Sequence, residues 1–204
     1  ETVISPAFAE NAAKEPAKNS NQVIAGVSGN DTLRYDSESY SGASFHAAMM
    51  MNSAAAQNGV YMDMGVTFKP EMVEGLEIGY AMGETEEAAG TVIDDQTYYV
   101  KYSYGPLTVG YQESESDAPT ATNSDETETL GISYQITDDF SVSYNTHDSN
   151  DGANTVDEEF TGISASYTMG GITIAGHANE LENKGGSATA ADVEGYEIML
   201  SFAF

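Results

Sequence analysis

From residue 31 onward the chain alternates apolar and polar residues with a period of two, the pattern of β-strands whose two faces meet unlike surroundings. The last nine residues show it most plainly: Tyr196, Ile198, Leu200, Phe202 and Phe204 share one face, and Glu197, Met199, Ser201 and Ala203 the other. Leu130, Ile132, Tyr134 and Ile136 oppose Gly131, Ser133, Gln135 and Thr137, and Phe140, Val142 and Tyr144 oppose Ser141, Ser143 and Asn145. Met62, Met64, Val66 and Phe68 oppose Asp63, Gly65, Thr67 and Lys69; Leu76, Ile78, Tyr80 and Met82 oppose Glu77, Gly79, Ala81 and Gly83. Tyr98, Val100, Tyr102 and Tyr104 oppose Tyr99, Lys101 and Ser103, and Ile163, Ala165, Tyr167 and Met169 oppose Ser164, Ser166 and Thr168. This rhythm predicts eleven strands, over 31–40, 43–52, 59–69, 76–85, 95–104, 107–116, 127–137, 140–149, 158–169, 172–181 and 193–204.

The predicted connections alternate in length. Short turns fall at Ser41-Gly42, Pro70–Gly75, Gly105-Pro106, Asp138-Asp139 and Gly170-Gly171, and longer polar loops near 53–58, 86–94, 117–126, 150–157 and 182–192. That asymmetry is expected of outer-membrane β-barrels. Residues 1–30 are different: rich in Ala, Asn, Ser and Pro, with no sustained period. The chain thus divides into an irregular segment, 1–30, and a strand-forming segment, 31–204.

A soluble β-sandwich also alternates, so the content of each face decides between the two. No charge interrupts the apolar faces named above, where one at the bilayer midplane would cost about 2–4 kcal/mol. The opposite faces are mainly Ser, Thr, Gly, Gln and Asn, as a wet interior requires. Phe68, Tyr104, Phe140, Tyr167 and Phe204 stand near turns, where an aromatic girdle at the membrane interface belongs. The expectation is an all-β, transmembrane antiparallel β-barrel. A secreted acidic β-sandwich that acts as an adhesin or binding protein is the alternative.

Composition narrows the chemistry. The 204 residues carry 6 Lys and Arg against 33 Asp and Glu, a formal net charge of −27. Such acidity repels nucleic acid. Disorder is opposed by 13 Tyr, 7 Phe and 40% apolar residues. The absence of cysteine excludes disulfides, thiolate nucleophiles and Cys-ligated zinc. The longest apolar run, Ala47–Met51, falls far short of the ~20 residues of a spanning helix. The first residues include no Met, basic stretch or apolar stretch of a signal peptide, so the chain is expected to be mature or a fragment.

Two segments carry a family resemblance. "DTLRYDSESYSG", followed by "ASFHAAMMMNS", resembles the strand that leaves the constriction loop of general diffusion porins, notably those of alphaproteobacteria. The terminal "YEIMLSFAF" resembles the sorting signal of outer-membrane barrels, a final Phe preceded by alternating apolar residues. The resemblance implies a sixteen-stranded barrel in the outer membrane, of which the eleven strands are the sixth to the sixteenth, with residues 1–30 as the inward-folded loop. A twelve-stranded barrel completed by Asn21–Ser28 is the competing arrangement. The porin resemblance further implies a water-filled channel for small hydrophilic solutes and a homotrimer; no enzyme activity is expected, and divalent cations at the acidic loops are expected to bridge to lipopolysaccharide. Small outward residues such as Ala43, Ala47 and Ala165 are candidates for the subunit contact.

Candidate chemistry follows from parity. Arg34, Asp36, Glu38, Asp63, Lys69, Glu77 and Lys101 are expected to face inward. The resemblance casts Arg34, with Lys69 and Lys101, as a basic wall opposite the loop carboxylates Glu1, Glu10 and Glu15, across which a transverse field would orient dipolar solutes. Arg34 pairing with Asp36 or Glu38 is the plainer reading. Six basic residues in all weaken the basic wall and point to mild cation preference. The acidic runs Gly83–Glu87, Glu113–Asp117, Asp148–Glu159 and Glu180–Asn183 offer oxygen ligands for Ca²⁺, or simply form solvated, mutually repelling loops. No other cofactor is implied. His46, His147 and His177 fall on the polar face. His147-Asp-Ser149 superficially resembles the His–Ser pairing of outer-membrane phospholipases, whose site lies on the lipid face, opposite to the parity of His147. Gly170-Gly171 and the Gly pair after Lys184 are turn glycines, since neither opens a helix.

Overall fold

A computed structural model of the protein describes residues 32–51, 60–86, 90–120 and 124–203. The strands are β1 (Thr32–Asp36), β2 (Ala43–Met51), β3 (Val60–Phe68), β4 (Leu76–Glu86), β5 (Val92–Tyr104) and β6 (Leu107–Asp117). There follow β7 (Asp125–Thr137), β8 (Phe140–Asp151), β9 (Glu158–Met169), β10 (Ile172–Glu182) and β11 (Val193–Phe202). Each pairs antiparallel with its chain neighbours, giving one sheet in the order β1 to β11. All eleven predicted strands are present. Several run further toward the long-loop end than the alternation indicated: β5 begins at Val92, β7 at Asp125, and β8 continues to Asp151. Antiparallel pairing persists there after the apolar residues have stopped, because backbone hydrogen bonds do not depend on the side chains. Residues 1–30, with Glu1, Glu10, Glu15 and the segment Asn21–Ser28, lie outside the described residues, as do loop 53–58 and Phe204.

One prediction is corrected at β1, which was expected to run to residue 40 and stops at Asp36. The Ser37 hydroxyl accepts the Phe45 N–H at 2.8 Å and donates to the Glu38 carbonyl, so a side chain replaces a rung of the ladder. The Ser37 N–H still donates to the Phe45 carbonyl at 2.8 Å, and the Tyr40–Ala43 bridge resumes the pairing before the turn at Ser41 and Gly42. Glu38 is therefore in a connection and holds no strand position. The turn needs glycine: Gly42 sits at φ 85°, and a Cβ there would strike the Lys69 carbonyl.

Burial runs opposite to that of a soluble protein. Along β3, Val60, Met62, Met64, Val66 and Phe68 are exposed, while Tyr61, Asp63, Gly65 and Thr67 between them are sheltered. The same inversion marks Ile78, Tyr80 and Met82 in β4, and Tyr98, Val100, Tyr102 and Tyr104 in β5. Leu130, Ile132, Tyr134, Ile163, Tyr167, Ile198 and Leu200 continue the exposed apolar face to β11. Buried positions include Asp95, Gln112, Ser114, Thr127, Thr129, Asn145 and Asn179. Soluble domains keep apolar side chains in and polar ones out. With a single sheet and its apolar face open, the two-layer sandwich is excluded. A sheet that shelters its polar face without a second layer must curve toward that face.

The register adds a tilt. One hydrogen-bonded row on the outer face reads Val66, Tyr80, Tyr98, Glu113, Glu128, Asp148, Glu159. It begins in the apolar belt and ends among carboxylates. A flat apolar band must therefore cross the rows obliquely, which inclines the strands to the membrane normal as barrel geometry demands.

Candidate functional site

The inner face divides into a charged sector and a neutral one. At the end of β3 and on β4 and β5 the register brings Lys69, just past Phe68, beside Glu77 and Lys101, since Phe68 pairs with Ile78 and Glu77 with Lys101. The Glu77 carboxylate lies 3.3 Å from Lys69 Nζ and 3.6 Å from Lys101 Nζ and accepts a 2.9 Å hydrogen bond from the Tyr99 hydroxyl. Tyr99 reaches it because its ring lies across Gly79, where a side chain would collide with the ring. His46 covers Gly65 in the same way, one row nearer the long-loop end. The glycines on the polar face thus make room for large inward side chains.

The predicted site residues are placed as follows. Arg34 and Asp36 share the inner face of β1 and form a two-pronged pair, Nε to Oδ2 and Nη2 to Oδ1, each 2.8 Å. Asp63 stands on the Arg34 row through Ala48. Arg34, Lys69 and Lys101 are thus each tied to a carboxylate of their own wall. Lys69, Glu77 and Lys101 come together; Arg34 and Asp36 form a separate pair; Glu38 joins neither; Glu10 and Glu15 lie outside the described residues.

Between β5 and β10 the middle of the wall is uncharged and hydroxyl-rich, and charge returns only at the long-loop ends with Asp125, Asp151 and Glu158. Thr97 bonds Ser114 at 2.7 Å, Ser103 bonds Thr108 at 3.0 Å, Thr168 bonds Thr173 at 3.0 Å, and Ser143 bonds Ser164. Toward the long-loop end follow two rows whose members the sequence named only in part, as Gly131, Asn145 and His147 on the polar face. The first reads Gly131, Asn145, Gly162, Asn179, and the next Gln112, Thr129, His147, Phe160, Leu181. Leu181 is 0% and Asn145 2% exposed. Among the described residues, Gln112 Oε1, Asn145 Oδ1, His147 Nε2 and Asn179 Oδ1 are buried without a hydrogen-bond partner. Strand parity places Asn145 on the polar face beside Ser143, and the same spacing of two after His177 extends it to Asn179. Their burial depends on curvature, which no local signal carries.

All three histidines face inward, as parity predicted. His147 Nδ1 bonds Thr129 Oγ1 at 2.8 Å and the ring points away from the lipid face. Beyond the apolar belt the outer face carries acidic residues opposite one another: Glu113 with Glu128, Glu115 with Glu126, Glu128 with Asp148, Asp148 with Glu159, and Glu159 with Glu182. Tyr98 and Tyr111 hydroxyls donate to Glu113, and the Gln96 amide to Glu115. Many of the carboxylates read from the sequence as loop charges therefore stand on strands, in a collar above the belt. Among the described residues, no group of three or more His, Asp and Glu is arranged to hold a metal ion. At the long-loop end the Gly185 N–H donates to the Glu158 carboxylate at 2.6 Å, and Asn183 to the Asp157 carbonyl at 3.1 Å, which ties two connections together.

Comparison with known proteins agrees with this architecture. The chain matches the family model of Gram-negative porins over residues 7–186. No curated protein matches its sequence significantly. Its fold is similar to that of an anion-selective porin from Comamonas acidovorans, with TM-score 0.69 and 14% identity, over 86% of this chain and 60% of that one. It is also similar to in-vitro folded OmpT, an outer membrane protein of Vibrio cholerae, with TM-score 0.54 and 13% identity, over 84% of this chain and 63% of that one. The chain spans less than two thirds of the length of either relative.

Proposed function

The chain belongs to the Gram-negative porin family of the bacterial outer membrane, and from that premise we propose that it forms the wall of a water-filled channel for passive diffusion of small hydrophilic solutes and ions. The observation that supports this most directly is the inverted burial, polar face sheltered and apolar face open across the sheet. In hydrocarbon every backbone N–H and C=O needs a partner, so a spanning sheet must close. The outer edges of β1 and β11 do not pair with one another in the sheet order. Further strands, sixteen in all on the porin pattern, would complete the barrel, whose interior is then too wide for side chains to fill. Passive transit requires no catalytic group.

We further propose mild cation preference. The inner-face cations Arg34, Lys69 and Lys101 are all held by carboxylates, and Asp63 and Asp95 add negative charge to the same face. The anion selectivity named for the Comamonas porin belongs to that protein. Constriction against Glu10 and Glu15 remains part of the proposal. Reconstitution into planar bilayers should give stepwise conductance and, across a salt gradient, a reversal potential of cationic sign. Absence of conductance would overturn the channel, and an anionic sign the selectivity alone.

A homotrimer is proposed through β1 to β4. There the outer face has a groove of about 370 Å³ around Ala47, walled by Leu33, Tyr35, Met49, Met62 and Met64. Small and flexible side chains let a second surface approach closely. Ala47→Arg, which fills the groove with a charged side chain, should leave monomers on gels run without heating, and an unchanged trimer would argue against this face. Lipopolysaccharide is proposed as the lipid partner at the acidic collar, with divalent cations between like charges. Extraction with a chelator should weaken its co-purification; unchanged recovery would count against it.

A further inference from the structure

The neutral sector of the inner face contains a cavity that the channel reading does not use. It measures about 470 Å³, lies near the Gly105-Pro106 turn, and is lined on the inner face by Thr108, Ser133, Ser141, Ser143, Ser164 and Ser166, with His177 at one side. That volume is in the range of small-molecule sites. No Asp, Glu, Lys or Arg is among its lining residues. The charged residue in register with it is Glu197, across from His177. This neutrality is unusual in a chain with a net charge of −27.

We propose that this cavity is a binding subsite for uncharged polyhydroxylated solutes, that is, neutral sugars and sugar-like polyols. The inference rests on the channel reading for access to the lumen. Each serine hydroxyl offers one donor and two acceptor positions and turns to suit its partner. Their positions form a grid, because Ser133, Ser143 and Ser164 pair across β7, β8 and β9, while Ser141 and Ser166 repeat the pairing one step along. Cross-strand spacing of ~4.8 Å and the two-residue step of the strand make this a two-dimensional array of hydroxyls. A sugar ring presents a matching array of donors and acceptors around its edge.

Ser143 and Ser164 already bond one another, which shows that neighbouring hydroxyls reach each other across the strands. Just beyond stand the Asn145 and Asn179 amides, each buried with Oδ1 unpartnered among the described residues. They extend the polar wall along the same face. An ionic solute finds no counter-charge in the cavity and would lose hydration without replacement. Its path lies with Lys69, Glu77 and Lys101, on the charged sector. The two sectors thus sort solutes by charge within one lumen.

The test uses the protein in detergent micelles and in planar bilayers, with maltose as the neutral probe and glucuronate and glucosamine as charged ones. Saturation-transfer NMR in micelles should show saturable maltose binding and weaker or no binding of the two ions. Ser143→Ala and Ser164→Ala should each weaken maltose binding about fivefold while ionic conductance stays near the parent value. Heat-modifiable migration on gels checks that each variant has folded, and Ser166→Ala supplies a substitute where one has not. Conductance without saturable maltose binding would overturn the subsite and leave the channel standing. Equal or tighter binding of glucuronate or glucosamine would overturn the neutral class. Maltose binding without conductance would overturn the channel and leave the subsite.

Discussion

Tyr99 shows how one inward side chain organises its surroundings. Its ring needs Gly79 beneath it, and its hydroxyl holds the carboxylate that pairs two lysines. Gly79→Ala should displace the ring and cost about 1–3 kcal/mol in unfolding free energy. In a Tyr99→Ala background the same change should cost far less, because the collision has gone; full additivity in the double-mutant cycle would refute the packing account. Glu77→Gln keeps an acceptor for Tyr99 and removes the counter-charge of Lys69 and Lys101. Stability should fall by about 1–3 kcal/mol, since Glu77 is 17% and Lys101 32% exposed and both lysines lose their counter-charge. The reversal potential should move toward anions. A move toward cations would contradict the placement of these lysines on the lumen wall.

Each strand is a boundary between two solvents. Val66 and Thr67 are neighbours in β3, yet one is exposed on the apolar face and the other half-sheltered on the polar face. Val66→Arg should therefore cost free energy in a bilayer, up to the ~2–4 kcal/mol of a charge at the midplane, while Thr67→Arg should fold with little loss and reduce conductance. Equal cost at both positions, measured by denaturant titration in lipid vesicles, would remove the membrane from the argument. The ends of the strands follow a different rule. β7 starts at Asp125 and β8 ends at Asp151, both beyond the last apolar residue, because pairing is a backbone matter there. β1 stops early because the Ser37 side chain takes over a backbone bond. Neither departure could be read from period-two alternation, which reports only the sorting of side chains.

The molecule as a whole is strongly acidic, and its structure concentrates like charges. Carboxylates face one another directly across β6 to β10 on the outer collar, an arrangement that is unfavourable at short range. Added salt shortens the Debye length from ~30 Å at 0.01 M to ~3 Å at 1 M. The unfolding temperature in micelles should accordingly rise with sodium chloride. A flat or falling curve would mean that the collar charges are compensated by groups on the protein itself. At this scale too, the open apolar face requires detergent or lipid at every stage of purification.

Sequence alone determined the strand count, the two faces and the inward parity of Arg34, Asp36, Asp63, Lys69, Glu77, Lys101 and the three histidines, because side-chain direction along a strand is a local property. It also placed the tight turns at Gly105-Pro106, Asp138-Asp139 and Gly170-Gly171, but not every connection length: the expected short turn after β3 spans 69–75, longer than the expected long loop after β4, which spans 87–91. Tertiary structure decided which inward residues meet. Glu77 joins Lys69 and Lys101 only through the register of three strands, and the serine cavity exists only because β6 to β11 curve around it. The acidic collar likewise needed the pairing of many strands to show itself as one band. Register and curvature arise from hydrogen bonding between segments distant in sequence, so no window along a single strand contains them.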